Sequence, residues 1–240
     1  MIKRRPVTRF SPPLPINPTL FLDIETLPAI DPWVVALLEE AVKVPGSMKK
    51  EETIATWKKE ERPKLLKDAV SKSALDGTYG RVCCIGAAVN ELPAVTFIGE
   101  ESNVLLAFFE HVEKAFVTQD ALGKRIDLPV TLVGHNLRAF DLRFIWQRSV
   151  ILGIHRPVCL PWKVSRYDAH IQDTMELWNP DTAKRISLDK LCRVLGVRSP
   201  KRDFNGAMVA EAWARRQLVK IADYCAEDVE ATRECWWKMQ

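Results

Sequence analysis

Two acidic residues interrupt one of the most apolar short segments of the chain. The segment TLFLDIET, residues 19–26, is typical of a β-strand covered on both faces, because its large apolar side chains would project from both faces of the strand. In such a strand Asp23 and Glu25 project from the same face, about 6–7 Å apart. Two carboxylates on one buried face are costly unless a cation neutralises them. The pair therefore indicates either a cation site or an exposed strand end with solvated charges.

Composition places the chain among ordinary globular proteins. Its 240 residues are 47% hydrophobic and 28% charged, which is enough to bury a full core. A net charge of +4 is too small to indicate a nucleic-acid partner by itself. The sequence has no apolar run near the ~20 residues that span a bilayer, and its basic start is followed by prolines. These features predict a soluble, cytoplasmic protein.

The order of predicted elements indicates an α/β fold with a mixed sheet. We expect a Pro-rich basic arm over residues 1–18 and a single domain over 19–240, with a helical insertion at about 31–78. Strands are predicted at 19–26, 81–89, 94–99 and 130–134, with a strand end at 169–174, and helices at 102–116, 137–152, 187–195 and 206–237, the last interrupted near 218. Strands that alternate with helices in this way pack as layers around one sheet.

Two further groups of residues carry acids at positions suited to a site. Asp141 follows the apolar segment VTLVG and lies near the start of the next predicted helix. Ligand-binding groups of α/β proteins are found at this place, just past the carboxyl end of a strand. An aspartate that caps the helix is the simpler interpretation. Tyr224 and Asp228 are four residues apart and share one face of the last predicted helix. Alone, such a pair is typical of an ordinary helix surface.

Taken together, the three segments resemble the three signatures of the DEDD 3′–5′ exonucleases of the ribonuclease H-like superfamily. The matching residues are Asp23 and Glu25 in the first signature, Asn136, Phe140 and Asp141 in the second, and Tyr224 and Asp228 in the third. The third signature is of the tyrosine type, because the position where the other branch has a histidine is Asp223.

The surrounding sequence is similar to the proofreading domains of family-B DNA polymerases and their free-standing relatives. The similarity lies in residues 21–26, 79–86 and 187–197 and is weak in the predicted insertion. It implies an α/β, ribonuclease H-like three-layer domain in which helices flank a mixed central sheet. It also implies a metal-dependent 3′–5′ exonuclease that hydrolyses DNA and prefers single-stranded 3′ ends.

The resemblance assigns roles to individual residues around two divalent cations, Mg²⁺ or Mn²⁺, ions that prefer oxygen ligands. Asp23 would bridge both ions, and Glu25 and Asp228 would hold the ion that activates water. Asp141 would support the second ion, and Tyr224 would orient the attacking water.

The same resemblance implies contacts to the substrate. Thr26 and Leu27 would meet the terminal nucleotide, while Asn136 and Phe140 would seat the strand. Basic residues at 184–202 would either contact phosphates or form a solvated face. Two alternatives stay open at this point: an exonuclease for RNA or short oligonucleotides, and a catalytically silent nucleic-acid-binding module. The sequence leaves the oligomeric state open.

Overall fold

A computed structural model describes residues 18–163, 165, 168–180, 184–200 and 204–240, so almost all of the predicted arm lies outside the described residues. The elements, in chain order, are β1 (Thr19–Leu27), α1 (Pro32–Ala41), α2 (Glu51–Glu60), α3 (Arg62–Lys72), β2 (Arg81–Val89), β3 (Val95–Ile98), α4 (Glu101–Phe116), β4 (Val117–Gln119), β5 (Arg125–Asp127), β6 (Thr131–Gly134), α5 (Asp141–Ile151), β7 (Ile171–Asp173), α6 (Thr174–Trp178), α7 (Leu188–Leu195), α8 (Val209–Ala214) and α9 (Leu218–Met239), with 3₁₀ turns at Ser73–Leu75 and Gly206–Met208. Among the described residues there is no helix that could span a bilayer.

A five-stranded mixed sheet in the order β3-β2-β1-β6-β7 forms the centre of the fold. Strand β1 pairs with β2 antiparallel and with β6 parallel, and β6 pairs with β7 parallel. Because β1 lies between two neighbours, its backbone groups are hydrogen-bonded on both sides and its position is fixed. The predicted α/β fold with a mixed central sheet is therefore confirmed.

Helices cover both faces of this sheet, which gives three layers. On one face Leu20, Leu22 and Ile24 of β1 pack in a core cluster with residues of α4 and α5. On the other face Phe21 packs edge-to-face against Trp236 of α9, with ring centroids 5.5 Å apart. Strand β1 is thus apolar on both faces until its last residues, where the two acids occur.

The structure differs from the sequence-based expectations at the start of α5, in the hairpin of β4 and β5, and in the short helix α6, which was not predicted. Helix α5 begins at Asp141 and not at residue 137, because Asn136 has φ 66° and Phe140 has φ −123° and ψ −80°, and neither conformation is helical. The hairpin of β4 and β5 was not expected from the sequence. Its strands are short and mostly exposed, so they carry no hydrophobic alternation that could reveal them.

Three helices fall within the stretch predicted as a helical insertion. Helices α1, α2 and α3 lie between residues 32 and 72, and the 3₁₀ turn at Ser73–Leu75 follows directly. Ser73 joins this region to the end of β1, because its hydroxyl accepts a hydrogen bond from the Ala29 N–H at 2.8 Å. The division of the chain into an arm and one domain with an insertion stays a prediction.

Helix α9 lies unusually close to the sheet at Gly86. A Cβ atom added at Gly86 would lie 2.9 Å from Val229 Cγ2, 3.0 Å from Cys225 Sγ and 3.1 Å from the Cys225 carbonyl oxygen. Gly86 also pairs directly with Asp23 across the β1–β2 ladder. Any side chain at this position would therefore move α9 away from the strand that carries the acids.

We expect Gly86→Ala to destabilise the fold by about 1–3 kcal/mol, because it overpacks a site with no space for a methyl group. For a chain of this size each kcal/mol lowers the melting temperature by roughly 2–4 °C. The matched control is Gly46→Ala, because a Cβ there would meet nothing within 4 Å. Thermal melts followed by circular dichroism measure both variants. Equal melting temperatures for the two would contradict the proposed close approach.

Candidate active site

The end of β1 carries the first two predicted acids into the interior. Asp23 is half-buried and pairs with Gly86, and Glu25 is 7% exposed and pairs with Cys84. The ladder with β2 shifts register between Glu25 and Thr26, a bulge that bends the strand just past the acids. The acids therefore lie on a central strand and not at a solvated strand end.

Helix α9 brings the third signature to the same place. Tyr224 and Asp228 are buried on the side of α9 that faces the sheet. One carboxylate oxygen from each of Asp23, Glu25 and Asp228 lies within 4.8 Å of the other two. We call these three residues the carboxylate cluster. Carboxylates at this spacing form a donor set that fits a hard divalent cation.

Asp141 adjoins the carboxylate cluster and stands outside it. Its Oδ1 accepts a hydrogen bond at 3.1 Å from the N–H of Ile24, the residue between the two acids of β1. Its side chain is buried at 2% exposure. As the first residue of α5 it also sits where the helix dipole favours a negative charge. The four predicted acids are therefore brought to one end of the central strands.

Convergence of these acids disfavours their ionised forms. Burial raises the pKa of Asp23 well above its usual value, and the charges of Asp228, Asp141 and Glu25 raise it further. Burial also raises the pKa of Asp141 to about 8, with contributions from the charges of Asp173 and Asp228, although hydrogen bonds from backbone N–H groups act in the opposite direction. A bound cation would reverse this balance, because it favours the carboxylate forms.

Tyr224 lies against the cluster with its hydroxyl protonated. Burial raises the pKa of Tyr224, and so do the neighbouring charges of Asp228 and Glu25 and a hydrogen bond to the Asp228 carboxylate. The ring packs edge-to-face on Phe204, with centroids 5.2 Å apart. A phenol held in this way can orient a water molecule through hydrogen bonds, and it is too weak an acid to serve as a base near neutral pH.

Asp173 is a residue beside the predicted site that sequence reasoning did not single out. It is buried at 3% exposure, and its carboxylate accepts hydrogen bonds from the N–H groups of Asn136 at 2.9 Å, Arg138 at 3.1 Å and Met175 at 3.0 Å. These bonds hold the turn between β6 and α5, and so set the start of the helix that presents Asp141. The signal in the sequence was an acid at the end of a predicted strand, as at Asp141.

Cys225 is a second such residue. Its thiol lies 3.6 Å from both the carbonyl oxygen and Oδ2 of Asp23, as a weak hydrogen-bond donor to each. A hydrogen bond to the ionised form lowers the pKa of Asp23, in opposition to burial. The small side chain also lets α9 approach Gly86, so Cys225 serves both packing and the orientation of a cluster acid.

A groove of about 600 Å³ opens beside the cluster. Two of the four predicted substrate contacts, Thr26 and Phe140, line it together with Glu25. Leu27 and Asn136 are not among the described residues that line it. Leu27 is buried in the core, and the Asn136 N–H is bonded to Asp173. Thr26 also supports the groove wall, because its hydroxyl donates to the carbonyl oxygen of Ala74 at 2.6 Å.

The described basic residues at 184–202 are exposed, and one of them is in an ion pair. Arg193 is paired with Asp189 on α7, with its Nε 3.2 Å from the carboxylate. Lys201 and Arg202 lie outside the described residues. Phosphate contacts from this segment therefore stay a prediction.

The sequence of residues 78–240 matches the model of a protein family described as "Predicted 3'-5' exonuclease related to the exonuclease domain of PolB". The match spans more than half of the chain and includes Asp141, Tyr224 and Asp228. The chain belongs to this family. The matched residues begin after Asp23 and Glu25, so the structure, and not the family match, connects those two acids with the rest. No curated protein matches the sequence with significance.

Among solved structures, the chain is similar to the family B DNA polymerase from the hyperthermophilic archaeon Pyrobaculum calidifontis. The similarity has a TM-score of 0.53 at 18% identity, and covers 91% of this chain and 24% of the polymerase. This chain thus spans about a quarter of the length of the polymerase that it matches. At this identity the similarity shows the fold alone, which the chain shares with the matched part of the polymerase.

We expect the metal-free protein to lose stability as the pH rises from about 4 to about 8. An acid whose pKa is higher in the folded than in the unfolded chain takes up a proton on folding across that window, so raising the pH favours unfolding. Asp141→Asn removes one such group and should flatten the dependence. Thermal melts in EDTA at several pH values measure it, with Asp223→Asn, an exposed acid on α9, as the control. A stability that increases over this range would contradict the buried, proton-binding state of Asp141.

Proposed function

We propose that this protein is a metal-dependent exonuclease that hydrolyses DNA from the 3′ end and prefers single-stranded ends. The observation that supports this most directly is the carboxylate cluster, because Asp23, Glu25 and Asp228 come from elements about 200 residues apart and still meet within 4.8 Å. Asp141 adds a fourth acid beside them. Membership of a family of predicted 3′–5′ exonucleases is in accord with this chemistry.

The donor set fits two divalent cations such as Mg²⁺ or Mn²⁺. Its ligands are all carboxylates, which hard ions prefer, and the pKa of Asp23 is raised by burial and by converging negative charge that cations would neutralise. In the proposed site Asp23 would be a ligand of both ions, Glu25 and Asp228 would hold one, and Asp141 would support the other. When bound, the pair of cations lowers the pKa of the attacking water and stabilises the leaving oxygen of the phosphodiester.

The side chains of this protein then orient the reactants. Tyr224 stays protonated because its pKa is raised, so its hydroxyl positions the attacking water and does not remove a proton from it. The groove beside Glu25 receives the end of the strand, with Thr26 and Phe140 at its surface. The turn held by Asp173 keeps Phe140 and Asp141 in register with the groove.

The proposal is tested with end-labelled single-stranded DNA, duplex DNA and RNA, each with Mg²⁺, Mn²⁺ or EDTA. We expect stepwise shortening of single-stranded DNA from its 3′ end with either metal and none in EDTA. If RNA is shortened faster than DNA, the proposed substrate is wrong and the enzyme acts on RNA. Binding without cleavage in both metals would overturn the enzymatic proposal in favour of a silent nucleic-acid-binding module.

We expect Tyr224→Phe to slow cleavage about 10²-fold, because positioning a water contributes a term of roughly that size. Asp23→Asn should reduce cleavage much further, because it removes a ligand of both proposed ions. Asp223→Asn, one residue from Tyr224 with an exposed side chain, is the matched control and should cleave at the wild-type rate. Single-turnover rates on one labelled oligodeoxynucleotide compare the three variants. Equal losses for Tyr224→Phe and Asp23→Asn would contradict the division of roles.

We expect Mn²⁺ to stabilise the wild-type protein by up to ~2.7 kcal/mol at a hundredfold excess over its dissociation constant, because it binds only the folded site. In a chain of this size that is a rise of about 5–10 °C in melting temperature. Asp23→Asn should lose most of this rise, while its stability in EDTA is unchanged or higher, since one converging charge is gone. Melts with EDTA and with Mn²⁺ decide the matter. A mutant that shifts as far as wild type would show that the ions bind elsewhere.

A further inference from the structure

The groove beside the carboxylate cluster has a wall that the family signatures do not supply. Its floor is the end of β1 with Phe140, and one side is formed by residues 205–210. The other side is formed by residues 71–75, the end of α3 and the 3₁₀ turn that follows it. We call residues 71–75 the insertion turn. It lies outside the residues 78–240 that match the family.

The insertion turn is fixed to the strand that carries the acids. Thr26, next to Glu25, donates its hydroxyl to the carbonyl oxygen of Ala74 at 2.6 Å, and the Ala29 N–H donates to the Ser73 hydroxyl at 2.8 Å. Gly80 packs beneath the turn so closely that a Cβ there would lie 2.5 Å from the carbonyl oxygen of Ser73. The turn therefore keeps a constant position relative to Glu25.

On this fixed turn an apolar side chain is left open to solvent. Leu75 is 70% exposed and lines the groove, together with the apolar surfaces of Pro28, Ala74 and Phe140. A single exposed leucine is common on protein surfaces, but this one lies in the groove that also contains Glu25 and Phe140, so it offers an apolar contact to a ligand there. The volume of about 600 Å³ falls within the range of pockets that hold one small ligand.

Within the insertion, the charge of α3 fits an anionic ligand chain that enters the groove. Helix α3 carries four basic residues and one acidic residue, and three of the basic residues are in ion pairs with Glu39, Glu61 and Asp68. Its last residue, Lys72, which is paired with Asp68 at 2.7 Å, lines the groove. A basic helix beside an apolar slot is the combination that binds single-stranded nucleic acid, since phosphates are attracted to the cations and bases to the apolar surface.

We propose that Leu75 contacts the base of the 3′-terminal nucleotide and that the insertion turn thereby determines how well a strand end is held. This rests on the proposed exonuclease function. Leu75 acts on binding of the strand and takes no part in the chemistry, because an aliphatic side chain can neither bind a cation nor transfer a proton. Its loss should therefore raise KM and leave kcat close to the wild-type value.

The experiment combines one protein change with one substrate change. The substrates are a labelled single-stranded oligodeoxynucleotide and the same oligonucleotide with an abasic residue at its 3′ end. For wild type we expect the abasic end to raise KM by about 5- to 10-fold, as follows from the loss of a partly buried apolar contact. Leu75→Ala should raise KM for the normal oligonucleotide by a similar factor. In this variant the abasic end should raise KM little further, because the protein change and the substrate change remove the same contact.

Control variants distinguish loss of this contact from a general effect on structure. The outcomes also distinguish failure of this proposal from failure of the proposed exonuclease function. Leu92→Ala removes a leucine of similar exposure, 63%, that does not line the groove, and should leave KM unchanged on both substrates. Leu75→Met should retain wild-type KM. If Leu75→Ala and the abasic end act independently, or if KM does not change, the contact is disproved while the exonuclease stands. If wild type cleaves neither substrate with Mg²⁺ or Mn²⁺, the proposed function itself fails.

Discussion

The close packing of α9 on strands β1 and β2 is the contact on which the rest of the site depends. It requires a residue without a side chain at Gly86 and a small one at Cys225, and it places Asp228 beside Asp23 and Glu25. Packing of this kind opposes the electrostatics, because like charges at such distances repel by several kcal/mol at a moderate dielectric. The apolar contacts of α9 with the sheet, including Trp236 on Phe21, hold the carboxylates together against that repulsion.

The protein treats two buried acids in opposite ways. Glu101 is paired with Arg148 through two hydrogen bonds of 2.9 Å and also accepts the Val82 N–H at 2.7 Å, so its charge is compensated within the fold. The pKa of Asp23 rises because of burial and, after it, because the charges of Asp228, Asp141 and Glu25 act on it. Acids whose pKa is raised by burial and by like charges are typical of functional sites.

Sequence reasoning found the central strand, the order of elements and the acids, because each has a local signature. The alternation around Asp23 and the four-residue spacing of Tyr224 and Asp228 are such signatures. It placed the start of α5 four residues too early and missed Asp173. The turn before that helix is defined by hydrogen bonds from a distant strand, and no local pattern records them. The prediction that Leu27 contacts the substrate rests on the family resemblance alone. In the structure its side chain is buried in the core.

The insertion turn could not have been found in this way either. Its residues have no distinguishing pattern, and its importance arises only from hydrogen bonds to Thr26 and Ala29, more than forty positions away. The groove is a property of the tertiary structure and of no single segment.

The bond between Cys225 and Asp23 joins residues 202 positions apart, and this separation bears on how the protein folds. Contacts between distant residues form late, because a long loop must be closed before they contribute any stability. The parallel pairing of β1 with β6 is likewise non-local. A partly folded chain that has ordered only β1, β2 and β3 holds two of the acids and no complete cluster. The complete carboxylate cluster therefore forms only once α9 has packed on the sheet, and unfolding of α9 alone should be enough to separate Asp228 from Asp23 and Glu25.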